Sequence, residues 1–363
     1  MGSKIRLESR KRTAIRRNLL RWYRGNGRDL PWRRTSDPYC ILIAEFMLQQ
    51  TQVETVIPYY HRFLSRFPDV QSLASASQSD ILKSWEGLGY YARARNLHRS
   101  ARQIVEQHGG RVPDAYDNLA ALPGFGPYTT SAVLSIAFNA DHAVVDGNVK
   151  RVLCRIFGIF EGVEKELWGL AESLLPSGKA GAFNQALMEL GATVCRPKSP
   201  DCTHCPLTRN CIAFRSGNPS SFPRKQNRKI RPHHTSGVGI VWCRGKVLIA
   251  RRPEDGLLGG LWEFPSARQK ARESLKSCCL RAIREATGVE AEIKSRFRKI
   301  KQAFTHFSVT IHAFQCTYQR GRTRPLGCKD VRWVLPEELP EYAFSRSGRK
   351  LADFLFEPDL SKV

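Results

Sequence analysis

The chain has 363 residues, long enough for two or three domains that each bury a core of their own. Its 58 Lys and Arg against 33 Asp and Glu give a formal net charge of +25 at pH 7, which points to a polyanionic partner, nucleic acid first and an anionic membrane surface second. No apolar run reaches the ~18 residues of a membrane span, and eleven cysteines, an odd number with no secretory apolar segment, argue for a reducing compartment and against a disulfide framework.

Twelve of the first 34 residues are Lys or Arg, yet Trp22, Tyr23 and Trp32 belong to a pattern running into Asp29-Leu30-Pro31-Trp32, so this stretch reads as mature structure and not as an address. Residues 12–25 are predicted to form a basic amphipathic helix with Ile15, Leu19, Leu20 and Trp22 inward, followed by a turn stiffened by Pro31. From Tyr39 to Leu64 the pattern is helical and unusually apolar, yet it carries Glu45 in its middle. Glu45, Gln49 and Gln52 fall at i, i+4 and i+7, one face of a helix. In a partly dry pocket, desolvation would raise the glutamate pKa toward neutrality, as a general acid needs; the plainer reading is a buried glutamate paired with an arginine. Helices over Leu73–Leu82 and Ala92–His108 are joined by Trp85-Glu86-Gly87-Leu88-Gly89-Tyr90-Tyr91, a glycine loop presenting aromatic planes that suit wedging into a base stack, or equally a packed tyrosine pair. Arg93 and Arg95 nearby would serve phosphates. In Leu122-Pro123-Gly124-Phe125-Gly126-Pro127-Tyr128, Gly124 and Gly126 sit where one helical pattern ends and another begins at Thr129, leaving bare backbone N–H groups suited to a phosphate. An aspartate, Asp146, follows just before Gly147 and Asn148; it reads either as turn and cap chemistry or as a catalytic carboxylate.

Residues 149–160, 165–175 and 182–194 are predicted helices, the last containing Asn184 and Glu189. Then come Cys195, Cys202, Cys205 and Cys211, with spacers of six, two and five residues. Ordinary zinc fingers separate two cysteine pairs by a dozen or more residues, whereas four thiols this compact fit an iron-sulfur cluster, with zinc the other candidate. His204 is expected to be a bystander, and Arg196 and Lys198 could reach a phosphate backbone from the six-residue loop. The other seven cysteines read as small core residues. Residues 217–234, rich in proline and base, read as a linker. Beyond it the period becomes alternating: Val238, Ile240, Val241 and Val247, Leu248, Ile249 read as strands about a turn at Arg244-Gly245-Lys246, followed by a glycine loop ending Trp262-Glu263-Phe264-Pro265. A helix over 271–287, strands near 291–300, 307–317 and 328–334 and a final helix near Ser347–Phe356 complete a small α/β sandwich.

These strings resemble one family. The Gly124/Gly126 hairpin followed by Asp146 is similar to the helix-hairpin-helix superfamily of base-excision glycosylases (HhH-GPD). Glu45-Phe46-Met47-Leu48-Gln49-Gln50-Thr51 resembles its adenine-glycosylase branch, the MutY family. The cysteine spacing resembles that family's 4Fe-4S loop, and the C-terminal part resembles a Nudix fold. The resemblance runs from about Arg12 to Phe356 and implies a mostly α-helical catalytic domain over 1–216, comprising a six-helix barrel at about 37–143 and an iron-sulfur subdomain from about 8–36 and 144–216. The 217–234 linker and a Nudix-like α/β domain over 235–357 follow. It further implies a monofunctional glycosylase that flips adenine out of double-stranded DNA, where it is mispaired with 8-oxoguanine or guanine, and hydrolyses its N-glycosidic bond. Glu45 would be the general acid and Asp146 would support the oxocarbenium ion or act as a transient nucleophile, assisted by Tyr128 and Asn148. Trp32, Arg33, Leu48, Val53 and Glu189 match the adenine pocket; Gln50, Thr51, Leu88, Gly89, Tyr90, Gly124 and Gly126 match DNA-binding positions, with Tyr90 as the duplex wedge. Phe304-Thr305-His306 stands where the family has Phe-Ser-His against 8-oxoguanine, with threonine for serine. Relatives that cleave the strand carry lysine where this chain has Tyr128. Arg284-Glu285-Ala286-Thr287-Gly288 keeps one Arg-Glu pair of a Nudix helix without the acids that would hold Mg2+, so recognition and not hydrolysis is expected of that domain. A bacterial cytoplasmic, nucleoid-associated monomer without a membrane partner is expected. Two other readings stay open: a related glycosylase for another mismatched base, which should lack Glu45 and the second domain, and a non-catalytic iron-sulfur DNA-binding protein, which would leave two placed carboxylates unexplained.

Overall fold

Apolar residues at helical spacing up to residue 215, and at alternate positions beyond residue 233, divide the molecule into two architectures. The computed structural model describes residues 8–224 and 231–356. They form two units, one from residues 8–74 with 99–224 and one from residues 75–98 with 231–356.

In chain order the helices of the first two thirds are α1 (Ser9–Asn26), α2 (Pro38–Leu48), α3 (Val53–Arg66), α4 (Val70–Ser75), α5 (Gln78–Ser84), α6 (Ala92–His108), α7 (Tyr116–Ala120), α8 (Pro127–Ala137), α9 (Gly147–Phe157), α10 (Glu164–Leu174), α11 (Ala180–Thr193) and α12 (Ile212–Arg215). Helix α2 is apolar all round and correspondingly buried, from Tyr39 through Met47 except Cys40, against α3 and α8. Asp37 caps it by accepting from the Tyr39 N–H, and Pro38 fixes its first turn. Ile15 and Leu19 of α1 close a second core with Val149, Val152 and Leu153 of α9, Leu167 of α10 and Phe183 and Leu187 of α11. Two predicted helices are broken. The one expected over Tyr39–Leu64 stops at Leu48, because Gln49 to Gln52 supply four polar side chains in a row, Gln50 turns left-handed at φ 58°, and Gln52 caps α3. The one expected over Leu73–Leu82 divides into α4 and α5, since Ser77 accepts from the Asp80 N–H and starts a new helix. Among the described residues no helix is long and apolar enough to cross a membrane.

The second unit is built on a mixed sheet of β1 (His233–Cys243), β2 (Lys246–Arg251), β3 (Trp262–Glu263), β4 (Ser266–Arg268), β5 (Glu290–Ala303), β6 (Ser308–Arg320) and β7 (Asp330–Val334), with α13 (Leu275–Thr287) and α14 (Arg346–Asp353). The order is β3-β2-β1-β6-β5, with β4 on β1 and β7 on β2; β1 and β6 run parallel and the other pairs antiparallel. Strand β1 begins at His233, inside the expected linker, because its first residues find a ladder on Ser308 and Val309. Alternation sorts the faces: Val238 and Ile240 join Trp262, Phe344 and Leu351 on one side, whereas Val241 joins Cys279, Ile283 and Phe314 on the other. Gly237 and Gly239 let α13 lie close to the sheet, for a Cβ there would meet the Cys279 backbone nitrogen at 2.9 Å and the Ile283 side chain at 2.5 Å. Helix α13 starts at Leu275, capped by Ser274, four residues later than expected. Its Glu285 is ion-paired with Arg281 at 3.0 Å, and Arg281 also holds Glu273.

Candidate active site

The hairpin between α7 and α8 is made by its glycines. Gly124 takes φ 85°, the Phe125 N–H bonds back to the Leu122 carbonyl, and Gly126 caps α8 with nothing within 4 Å of where a Cβ would be, so its backbone lies open to an approaching group. Pro127 begins α8 and places Tyr128 in its first turn. The Tyr128 hydroxyl donates to Glu45 Oε2 at 3.1 Å and lies 3.4 Å from Met188 Sδ.

Glu45 is 4% exposed on α2 and makes no ion pair among the described residues. Burial drives its pKa up to about 7; the Tyr128 hydrogen bond opposes this, the negative field of Asp146 adds to it, and the Arg33 charge again opposes it. The plainer sequence reading, a glutamate bonded to an arginine, is therefore replaced by a glutamate bonded to a phenol. Gln52 does not share its face, since the helix ends first, and the Gln49 amide donates instead to Thr129 Oγ1 at 3.0 Å.

Asp146 is the N-cap of α9, accepting from the Val149 N–H at 2.6 Å and from Asn148 Nδ2 at 3.0 Å. Burial raises its pKa, while these donors and the charge of Arg151 work against burial and support the anion. Tyr128 feels both carboxylates, and its own pKa is pushed well up by burial and by their charge. Glu45, Tyr128, Asp146 and Asn148 thus form one electrostatic group. Behind it Arg151 donates to Asn148 Oδ1 at 2.8 Å, the Gly191 carbonyl at 2.7 Å and the Cys195 carbonyl at 2.7 Å, joining the carboxylate to the cysteine loop.

Glu189, 1% exposed, has its carboxylate engaged by Arg28 Nε at 2.8 Å and Arg33 Nη2 at 2.9 Å. Burial alone would raise its pKa, but the bonds and charges of the two arginines outweigh it and hold it low. Trp32 is buried edge-to-face on Tyr60 at 5.4 Å, Leu48 and Val53 flank the break between α2 and α3, and Gln50 and Thr51 lie in it, Gln50 exposed. Arg28, Arg151 and Arg155 are the residues that sequence reasoning missed. The signal available for the last two was their i, i+4 spacing on α9.

Cys195, Cys202, Cys205 and Cys211 line one small cavity together with Arg155, which is 2% exposed and donates to Cys195 Sγ at 3.3 Å and to the Arg196 carbonyl at 2.8 Å. Four thiols and a buried cation round a common space fit a thiolate-bound group. Among the described residues no three His, Cys, Asp or Glu side chains converge on one ion-sized point. His204, largely exposed, pairs with Asp201 at 2.9 Å.

In the second unit, Leu88 is buried, Gly89 has φ 79°, and Tyr90 is 45% exposed with a left-handed φ of 49°. Phe304, Thr305, His306 and Phe307 form the loop between β5 and β6, where the Phe304 and Phe307 rings stack at 4.6 Å. Thr305 Oγ1 lies 3.0 Å from the Tyr90 hydroxyl. Arg93 does not offer itself to phosphates: it is 7% exposed, lies over the Trp85 and Tyr90 rings and donates to the Gly89 carbonyl. Arg95 Nη1 donates to the Gly259 carbonyl at 2.8 Å.

Comparison with known proteins agrees with both architectures. Residues 43–173 match the family described as HhH-GPD superfamily base excision DNA repair protein, and residues 237–353 match the NUDIX domain. The chain is 35% identical to the adenine DNA glycosylase of Homo sapiens over 400 aligned residues, covering 93% of this chain and 73% of that protein. It is 36% identical to the adenine DNA glycosylase of Buchnera aphidicola subsp. Schizaphis graminum over 301, covering 81% and 84%. Among solved structures, a thermostable thymine-DNA glycosylase aligns with TM-score 0.54 at 36% identity over 57% of this chain and 98% of that one. An endonuclease III trapped on DNA shares the fold, with TM-score 0.52 at 21% identity over 58% and 99%. With likeness to enzymes of one activity along nearly its whole length, the chain belongs to the adenine DNA glycosylase family, hydrolases of N-glycosidic bonds.

Proposed function

We propose that this chain excises adenine from double-stranded DNA where it is mispaired with 8-oxoguanine or guanine, leaving an unnicked abasic site. The observation that carries the reading is Glu45: a buried carboxylic acid that titrates at about 7, held by a phenol and sharing its field with a second acid. At neutral pH about half of such a group holds its proton, so it can give one to the imidazole nitrogen of a flipped adenine and turn a poor leaving group into a neutral one. Asp146, fixed by three neighbouring donors and Arg151, supplies the negative charge that an oxocarbenium-like sugar needs, or bonds to it transiently before water arrives. Tyr128 cannot form a Schiff base, which supports hydrolysis without strand cleavage. Trp32, Arg33, Leu48, Val53 and Glu189 would surround the extruded base, while Gln50, Thr51, Gly124 and Gly126 would take the backbone. Leu88, Gly89 and Tyr90 would part the duplex, with Phe304, Thr305 and His306 on the opposite base. Cys195, Cys202, Cys205 and Cys211 would hold a 4Fe-4S cluster, which supplies a cross-link tying down the loop that follows α11. The charge of +25 suits a phosphate backbone.

A second reading has its own support, since the thymine-DNA glycosylase is as similar in sequence, though it corresponds to only 57% of this chain and leaves the remainder without a counterpart. Duplexes carrying A opposite 8-oxoguanine, G or T, and T opposite G, treated with wild type, Glu45→Gln and Asp146→Asn, separate the two. Adenine release opposite 8-oxoguanine and G, lost in both variants, with strand breaks only after alkali, is the expected result. Thymine release, equal action on every duplex, activity kept in both variants, or a borohydride-trapped complex would overturn it.

A further inference from the structure

The loop 85–91 carries Tyr90 on a tightly turned backbone whose conformation depends on the contacts that hold it. Gly87 and Gly89 both have positive φ, 93° and 79°, and Tyr90 itself adopts a left-handed conformation that a side chain disfavours. Some of its order is local: Trp85 Nε1 donates to the Gly89 carbonyl at 3.1 Å, and the Gly87 N–H donates to the Tyr91 hydroxyl at 3.1 Å. Further order comes from residues more than 250 positions away in the same unit. Arg349 of α14 grips Glu86 with two donors, Nε to Oε1 at 2.6 Å and Nη2 to Oε2 at 3.2 Å, while Lys83 reaches Glu86 Oε2 at 2.5 Å. The same guanidinium donates to the Leu339 carbonyl at 3.1 Å and the Tyr342 carbonyl at 2.6 Å, which fixes it against the C-terminal segment. The Tyr91 hydroxyl in turn donates to the Phe344 carbonyl at 3.2 Å. The Arg349 and Glu86 side chains are 22% and 13% exposed, so the pair is sheltered from water and its two-pronged geometry restricts rotation.

We propose that Arg349 is a positioning residue: its clasp on Glu86 holds loop 85–91 in register with loop 304–307, so that Tyr90 and Thr305 meet the duplex as one preassembled reader of the base opposite adenine. The proposal rests on Tyr90 being the duplex wedge, as argued above. The contact that gives it substance is the 3.0 Å approach of the Tyr90 hydroxyl to Thr305 Oγ1, two loops separated by 215 positions yet brought together side by side. Without the clasp, Tyr90 loses its register to Thr305 while Glu45 and Asp146 are untouched, so choice between bases suffers before chemistry does.

The test uses the full-length chain with Arg349→Gln, Glu86→Gln and the double variant. Single-turnover rates are measured on A opposite 8-oxoguanine and A opposite G. Fluorescence of a 2-aminopurine flanking the mismatch is read in a Glu45→Gln background, where unstacking is seen without turnover. The expected result is about a tenfold fall in the rate ratio between the two substrates, and a weaker fluorescence rise, in each single variant. The double variant should lose less than the sum of the two single ones, because the Arg349–Glu86 contact they share can be removed only once. Should Arg349→Gln fail to fold by thermal melt, Glu86→Gln carries the same comparison. A rate ratio and fluorescence rise like wild type in a folded variant, or additive losses in the double one, would overturn the proposal. Wild type that releases no adenine overturns the function assigned above; if its 2-aminopurine signal also stays flat on binding, the clasp falls with it.

Discussion

A carboxylic acid buried beside another leaves a signature in the pH dependence of both rate and stability. If protonated Glu45 and ionised Asp146 are the working forms, the single-turnover excision rate falls close to tenfold per pH unit above about pH 7 and falls again in acid, where Asp146, its pKa raised by burial, takes up a proton. A profile flat from about pH 6 to about pH 9 would count against it. The same burial acts on folding. The folded value of about 7 lies above the ordinary 4.5, so folding takes up a proton between the two, and the stability tied to it is full below pH 4.5 and lost as pH rises through 7. Glu45→Gln keeps the shape and removes the buried charge. Its unfolding free energy should exceed that of wild type by up to ~3 kcal/mol at about pH 8, with the gain fading toward pH 4.5, as read by urea titration at several pH values.

At the scale of elements, the position of Asp146 depends on how closely α9 and α11 approach. A Cβ on Gly191 would lie 2.6 Å from the Asn148 Cβ and 3.0 Å from the Asn148 carbonyl oxygen, atoms with no freedom to retreat. Gly191→Ala should therefore cost about 1–3 kcal/mol, and should slow excision beyond what the stability loss explains, because Asn148 is a donor to Asp146. The cap itself can be separated from the charge: Asp146→Ala should lose a further ~1 kcal/mol relative to Asp146→Asn by chemical denaturation, since asparagine still accepts from the Val149 N–H. The four cysteines were legible as candidates from their compact spacing, Glu45 and Asp146 from short local strings that also allowed a paired glutamate and a turn cap, and Tyr128 only through the family resemblance. The helices were legible through their periodicity, apart from the interruptions at Gln49–Gln52, where a run of polar side chains meets a left-handed Gln50, and at Ser77, whose side chain accepts a backbone N–H and competes with the helix. Arg28 with Glu189 and Arg349 with Glu86 were not legible, because in a chain with 58 Lys and Arg nothing local marks which one will close on a given acid.

For the whole molecule, a net charge of +25 makes a prediction that does not depend on any one residue. Affinity for duplex DNA, followed by fluorescence anisotropy, should fall linearly on a log–log plot against salt, by roughly 10³-fold or more between about 50 and 200 mM if six or more phosphates are neutralised. Affinity indifferent to salt would exclude a phosphate-led complex. The division of the chain into units carries a further consequence for how the protein is made. Residues 75–98 share a unit with residues 231–356, so during synthesis this segment leaves the ribosome well before Phe344 and Arg349, which it contacts in the finished fold. That unit can close only once residue 349 has left the ribosome, and a nascent chain halted near residue 224 should be cut by protease within 85–91 far faster than the finished protein.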